Sequence, residues 1–324
     1  MALLLSVFTA AAAQACTVPV FRYALERWRA DNYDLVIVHR GPLSERHDTL
    51  LTKLEKRAEA GEFHANIWLT KLDVAQEDDA ATAKRFFETI PEELPIAAAI
   101  APSGAARGKV IWKTPLDGDA LKAILESPAR RDIAEKILKG ASGVWLLLES
   151  GDKKKDEAAA KTLKDVLAEA KEQLVLPELA PGDMRYLTTG DGAPELKIDF
   201  PLISLDRNDK EEAFLIESLL RTEEDLKNDK FKGEPIAFPV YGRGRALYAL
   251  VGKGINEQNI AEACIFLTGA CSCQVKELNP GSDLLVSADW DGMMGGRMAV
   301  NEALPELTGF SGFGGFDIPK PEEE

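Results

Sequence analysis

The sequence predicts an α/β fold of two tandem βαβαββα units with mixed sheets, preceded by a short N-terminal helix. Apolar β-type runs and helical spacing alternate in the same order twice along the chain. In each half a Pro-Ile-Ala sequence opens the third strand, at Pro95 and at Pro235, and a glycine-containing turn leads to the fourth strand. Pro95 lies 22 residues before the helix cap Asp117, and Pro235 lies 21 residues before the helix cap Asn256. This matched spacing indicates an internal duplication.

The N-terminus has the pattern of a signal peptide. Residues 2–13 form an uncharged apolar run of 12 residues, and Ala13-Gln14-Ala15 is a small-x-small cleavage sequence. We therefore expect residues 1–15 to be removed before Cys16, and the protein to be exported to a periplasm or to the extracellular space. A lipoprotein anchored through Cys16 is the minor alternative. No other segment approaches the roughly 18 apolar residues of a membrane span, so none is expected after cleavage.

The N-terminal helix and the first unit follow from local patterns. Helical spacing over residues 20–28 places the first helix within residues 16–32. The first unit, residues 33–141, has predicted strands and helices in the order strand 35–38, helix 44–60, strand 65–72, helix 78–90, strand from 95, strand 109–113 and helix 119–125. Ser44 is the expected N-cap of the first of these helices.

The second unit, residues 142–270, repeats the order. Its predicted elements are strand 144–148, helix 155–174, strand 196–205, helix 211–220, strand from 235, strand 246–251 and a helix capped by Asn256 that runs to Leu267. The Pro- and Gly-rich residues 175–195 are interpreted as an insertion. Residues 271–304 form a C-terminal extension. Residues 305–324 are a Gly/Phe-rich acidic tail, whose composition predicts a disordered or docking segment.

Composition limits the function. The chain has 54 acidic and 39 basic side chains, a net charge of −15, and this balance argues against a nucleic-acid partner. With 45% hydrophobic and 29% charged residues among 324, the chain is expected to fold into about two domains.

The order of elements and the two prolines resemble the thioredoxin fold over nearly the whole mature chain. In that family the proline is cis and faces a Cys-x-x-Cys sequence at the start of the first helix, so the resemblance implies cis bonds at Pro95 and Pro235. The cysteine pair is missing, because His39-Arg40-Gly41-Pro42 and Glu149-Ser150-Gly151-Asp152 follow the two first strands. Neither domain can therefore carry out the family's thiol–disulfide chemistry at its usual place. Residues 16–28 followed by 33–43 also resemble a family of uncharacterised exported bacterial proteins.

Four cysteines remain to be assigned: Cys16, Cys264, Cys271 and Cys273. Cys264 has helical spacing with Ile260 and Leu267, which predicts a buried small hydrophobic residue. In an oxidising compartment, Cys16 is expected to form a structural disulfide with Cys271 or Cys273 and to tie the N-terminal helix to the second domain. The alternative is a redox-active Cys271-Ser272-Cys273 sequence in an extracytoplasmic thiol–disulfide oxidoreductase.

A copper protein is the third hypothesis. Met293, Met294 and Met298 follow Cys271 and Cys273 by about 20 residues, and thiolates with thioethers suit Cu(I). The purely structural interpretation is that these methionines pack in the core beside Trp290. Three histidines without paired spacing indicate no zinc site, and the sequence predicts no cofactor. The sequence thus favours an exported, non-catalytic binding or scaffold protein with a protein partner.

Overall fold

The structure, a computed structural model, describes residues 16–60, 62, 64–189 and 193–295. The predicted signal peptide and the acidic tail lie outside the described residues. The chain begins with helix α1 (Val20–Arg27), and the first sheet and its helices follow in the order β1 (Tyr33–His39), α2 (Glu45–Glu59), β2 (Ile67–Asp73), α3 (Glu77–Phe86), β3 (Ile96–Ile100), β4 (Val110–Pro115), α4 (Gly118–Leu125) and α5 (Pro128–Leu138).

The second unit contains β5 (Val144–Leu148), α6 (Lys153–Gln173), β6 (Leu202–Leu205), α7 (Ala213–Leu219), β7 (Ile236–Tyr241), β8 (Arg245–Ala246), β9 (Leu250–Val251) and α8 (Glu257–Thr268). The C-terminal extension adds β10 (Ser282–Asp283) and α9 (Trp290–Met293). Among the described residues, no helix combines the length and the apolar character that crossing a membrane would require.

The two sheets have the same strand order. The first sheet is β2-β1-β3-β4, with β2 parallel to β1 and β3 antiparallel to it. The second contains β6-β5-β7-β8, again with one parallel and one antiparallel neighbour of the first strand, and β10 extends it beyond β8. The predicted fold of two tandem thioredoxin-like βαβαββα units is therefore confirmed.

Polar side chains at the helix starts fix where several helices begin. Ser44 accepts a hydrogen bond from the backbone N–H of His47 at the start of α2. The caps of the last helices match between units, because Asp117 accepts from Ala120 at 2.8 Å and Asn256 accepts from Asn259 at 3.0 Å. Such caps satisfy backbone donors that have no partner within the helix.

Each sheet is covered by helices on both faces. Leu51 of α2 and Leu121 of α4 pack on one face of the first sheet, and Ala83 of α3 packs on the other. In the second unit, α6 and α8 share one face with α1, and α5 and α7 cover the opposite face. Helix α5 was not predicted from the sequence, although Ser127 caps it and Pro128 opens it.

Three predicted elements differ from the structure. The strand expected over residues 196–205 is limited to β6, because residues 196–201 run beside the sheet without strand pairing. The strand expected over residues 246–251 is split into β8 and β9, which pair with opposite ends of β7. Helix α3 ends at Phe86, so the helix predicted to run to residue 90 is shorter by one turn.

The two units contact each other through α7. Phe214 packs in the core cluster of the first unit, with ring centroids 6.2 Å from Tyr33 and 6.0 Å from Trp112. The buried Glu212 accepts hydrogen bonds from Ser127 Oγ at 2.5 Å and from the backbone N–H of Ala129 at 2.7 Å. Negative charge is favoured at a helix N-terminus, so this carboxylate stabilises the start of α5, which packs with α7 on the second sheet.

The C-terminal extension runs between the two units. Leu284 O accepts from the side-chain amide of Asn66 at 3.2 Å, and the N–H of Val286 donates to Asn66 Oδ1 at 3.0 Å. Leu285 enters the core cluster of the first unit, whereas Trp290 enters that of the second. The extension therefore stabilises both units at once.

A buried ionic cluster lies where the extension meets α1 and β8. The Asp283 carboxylate accepts from Lys276 Nζ at 2.5 Å and from Arg245 Nη1 at 2.8 Å. Lys276 Nζ also donates to Asp31 Oδ1 at 2.7 Å and to the carbonyl oxygen of Arg29 at 2.5 Å. Burial alone would raise the pKa of Asp283, but the cations of Lys276 and Arg245 outweigh it and hold the pKa below its usual value.

Candidate functional site

An open cleft lies beside Pro95 in the first unit. The cleft has a volume of about 580 Å³ and lies between the N-terminus of α2, the segment before β3 and the end of β4. Its lining is largely apolar, with Leu94, Ile96 and Leu116, and both signs of charge are present in Glu92 and Lys113. Its volume is within the range of about 300–1,000 Å³ that is usual for ligand sites.

Ser44 and His47 form the first turn of α2 beside this cleft. Their spacing is that of the two cysteines in Cys-x-x-Cys, and Ser44 Oγ lies 3.0 Å from His47 Nδ1. His47 also lines the cleft together with Pro95. The first turn of α2 thus presents a hydroxyl and an imidazole next to the cleft.

The loop before α2 is held by Asp73 at the end of β2. Asp73 Oδ1 accepts from the backbone N–H groups of Gly41 at 2.8 Å and of Ala75 at 3.0 Å. These backbone hydrogen bonds lower the pKa of Asp73, and the nearby His39 lowers it further. The carboxylate therefore holds the loop between β1 and α2 in place.

The matching region of the second unit is bridged by an ion pair. Lys155 Nζ lies 2.6 Å from Glu234 Oε1 and donates to the carbonyl oxygen of Gly233 at 2.8 Å. Asp156 accepts hydrogen bonds from the backbone N–H groups of Ser150 and Gly151. The start of α6 is thereby connected to the segment before β7, whereas the start of α2 is separated from Pro95 by the cleft.

The peptide bonds before the two matching prolines also differ between the units. The Leu94–Pro95 bond is cis, and no other cis bond occurs in the described part of the chain, so the bond before Pro235 is trans. The expectation of a cis bond at Pro235 is therefore wrong. The carbonyl group of that bond, Glu234 O, accepts from Arg207 Nη2 at 2.9 Å, an arrangement that the matched Pro-Ile-Ala sequence does not reveal.

The structure brings the N-terminal segment and the Cys271-Ser272-Cys273 sequence together. Val20 donates to Gly269 O at 2.9 Å, and Cys271 donates to Val18 O at 2.8 Å, so the two segments pair in antiparallel fashion. All four cysteines are free thiols in the structure, and the expected bridge from Cys16 is not formed there. Hydrogen bonds between main chains thus join the N-terminal segment to the second unit, and a disulfide from Cys16 stays a prediction.

Burial makes the thiols of Cys16, Cys264 and Cys271 poor nucleophiles, whereas Cys273 is only partly buried. Burial raises the pKa of Cys271 to about 12, and the neighbouring thiols of Cys16 and Cys273 add to the effect. Burial also raises the pKa of Cys16. Cys264 is fully buried in the core as expected, and its pKa is raised to about 12. Thiol exchange requires the thiolate, which such pKa values disfavour at neutral pH.

The methionines of the copper hypothesis are not gathered at the cysteines. Met294 is buried in a cluster with Trp290 on the opposite face of the second sheet from Cys271, while Met293 is half exposed. Met298 lies outside the described residues. Within residues 16–295 as far as they are described, no group of three or more His, Cys, Asp or Glu side chains could hold a metal ion.

Sequence reasoning did not identify His47 and Lys113 as residues that line one cleft with Pro95. The predicted N-cap at Ser44 was a usable signal for His47, because it places His47 in the first turn of α2. Lys113 gave no signal, because only the pairing of β4 with β3 brings it to the cleft.

The strand order and the cleft define a tandem thioredoxin-like protein without Cys-x-x-Cys at either helix start. Solved structures of the first two thioredoxin domains of Eps1p are similar to the chain. The Saccharomyces cerevisiae structure has 11% identity and a TM-score of 0.23, with 75% of this chain and 94% of that chain covered. The Naumovozyma dairenensis structure has 12% identity and a TM-score of 0.19, with 77% and 94% covered. No protein-family model matches the chain, and no curated protein matches its sequence.

Proposed function

We propose that the chain is an exported protein that binds an extended segment of a partner protein in the cleft beside Pro95, without thiol chemistry. One observation carries the proposal: the cleft is open and largely apolar, and the start of α2 beside it presents Ser44 and His47 in place of thiols. A site with an apolar floor and a few placed polar groups suits binding.

The chemistry of the cleft favours a peptide over a small anion or a nucleic acid. Lys113 and Glu93 at the rim can pair with side chains of either sign, and Leu94 and Leu116 offer apolar contacts for alternate side chains of an extended chain. The net charge of −15 disfavours polyanions.

The oxidoreductase alternative draws less support. Cys271 is fully buried, and its raised pKa leaves it protonated at neutral pH. The copper alternative would require Met294 to leave the apolar cluster in which it is buried.

Export is part of the proposal and rests on the sequence. The apolar residues 2–13, the Ala13-Gln14-Ala15 sequence and the resemblance of residues 16–28 and 33–43 to exported bacterial proteins support it. A lipid on Cys16 is the weaker alternative, because Cys16 is 4% exposed. The intact mass of the native protein tests both, since cleavage before Cys16 and an added acyl group change it differently.

Binding is tested with an unfolded probe protein, fluorophore-labelled lactalbumin. Its thiols are blocked by carboxymethylation, so it cannot form a disulfide with the chain. Pro115 is exposed and lines the cleft, so Pro115→Glu is expected to weaken probe binding at least fivefold by fluorescence anisotropy. The matched control is Val175→Glu, which makes the same kind of change at a residue that is 86% exposed and outside the cleft. Equal affinities of both variants, or no binding by the wild-type protein, would contradict the proposal. Reduction of a test disulfide by the wild-type protein would favour the oxidoreductase.

A further inference from the structure

A second groove lies on the first unit between α2 and α4. It has a volume of about 350 Å³, and its walls are leucines of the two helices: Leu50, Leu54, Leu121 and Leu125. Ser287 of the C-terminal extension lies at its side. This groove is separate from the Pro95 cleft, since the two have no lining residue in common.

The rim of this groove carries three cations, Lys53, Arg57 and Lys122, against two carboxylates, Glu62 and Glu126, in an acidic protein. Lys53 and Lys122 are exposed, and neither has an ion-pair partner among the described residues. Glu126, an acidic residue on the rim, is paired with Arg131 at 3.3 Å. Two other clefts are more acidic: the groove between α6 and α8 is lined by Glu169 and Glu257, and the Pro95 cleft has two glutamates.

The tail of the same chain has the complementary chemistry. Residues 305–324 contain three phenylalanines separated by glycine-containing spacers and six charged side chains, of which five are acidic. The phenylalanines Phe310, Phe313 and Phe316 suit the leucine walls, and the acidic side chains suit the two lysines.

The path of the chain makes this contact accessible. Ser287 already borders the groove, and the described chain continues to Gly295 in the second unit. Phe310 lies 15 residues beyond Gly295, which allows a reach of up to about 50 Å. A tethered segment of this length has an effective concentration in the millimolar range, so a weak site is enough to hold it.

We propose that residues 305–324 dock in the α2/α4 groove of their own chain, with phenylalanines against the leucines and acidic side chains facing Lys53 and Lys122. The groove then selects acidic, phenylalanine-bearing segments, and the tail is its resident ligand. This proposal does not depend on what binds beside Pro95.

The full chain with Phe313 replaced by p-benzoylphenylalanine tests the docking by photocrosslinking and peptide mass spectrometry. We expect crosslinks within one chain to α2 and α4. Lys53→Glu combined with Lys122→Glu should lower their yield at least fivefold, as should 0.5 M salt, because screening weakens attraction between exposed charges. Lys84→Glu combined with Lys164→Glu, the same change at two exposed lysines elsewhere, should leave the yield unchanged. Crosslinks to the Pro95 cleft, to a second chain or to scattered positions, or an equal loss in both variants, would overturn the proposal.

Discussion

The buried cation of Lys276 offers the sharpest test of what holds the C-terminal extension in place. Lys276→Met keeps most of the apolar stem and removes the ammonium group. That group is the donor to Asp283, Asp31 and the carbonyl oxygen of Arg29. After the change, Asp283 retains Arg245 but loses its closest cation.

The expected loss of stability is large because both partners are buried. The side chains of Lys276 and Asp283 are 3% and 2% exposed, so water cannot replace the missing cation. Breaking such a buried pair from one side costs about 3–5 kcal/mol. With a urea m-value of about 3 kcal/mol/M, the midpoint of unfolding should fall by about 1–1.7 M.

The dependence on pH gives a second readout. The pKa of Asp283 in the folded protein is held below its value of about 3.9 in the unfolded chain. The ionised carboxylate therefore contributes fully to the free energy of unfolding above about pH 3.9, and this contribution is lost as the pH falls through the pKa of the folded state. The free energy of unfolding of the wild-type protein should therefore decrease on acidification below about pH 4. In Asp283→Asn this part of the decrease should be absent.

The assay is urea unfolding followed by circular dichroism, with Lys161→Met as the matched control. Lys161 pairs with Asp165 on the surface of α6, and its side chain is 78% exposed. Loss of that pair should change the free energy of unfolding by less than about 1 kcal/mol. Equal effects of the two substitutions would refute the view that the buried cluster, and not ion pairing in general, anchors the extension.

Two further predictions concern the turn at β8 and the cysteines. Gly242 has φ +58°, and a Cβ there would lie 2.8 Å from Ala24 Cβ. Gly242→Ala should therefore lower the melting temperature clearly more than Gly151→Ala, since Gly151 has φ +89° but open space around it. Equal shifts in melting temperature would show that backbone strain alone, and not the contact with Ala24, sets the loss of stability. Iodoacetamide at pH 8 should alkylate Cys271 at least about 100-fold more slowly than free cysteine, because a thiol with a pKa of about 12 is almost fully protonated. Peptide mass spectrometry measures this rate, and ready alkylation of Cys271 in the folded protein would restore the oxidoreductase hypothesis.

Local sequence determined most of the elements. The apolar run from Val144 to Leu148 is completely buried and forms β5 with the predicted bounds. Ser44, Asp117 and Asn256 begin helices where their capping side chains predicted them. These features follow from backbone hydrogen bonding and from periodicity, which act within a few residues.

The sequence by itself thus determined the repeated order of strands and helices and the absence of a dithiol at both helix starts. Of the two cis bonds that the resemblance implied, the structure has the one before Pro95 and lacks the one before Pro235. Only the tertiary structure decided that the cleft beside Pro95 is open while Lys155 and Glu234 connect the matching segments in the second unit. It also decided that Asp283 meets Lys276 and Arg245 in a buried cluster. Contacts of this kind join residues that are far apart in the chain, and their strength depends on the exclusion of water. A local sequence pattern predicts neither the pairing nor the burial.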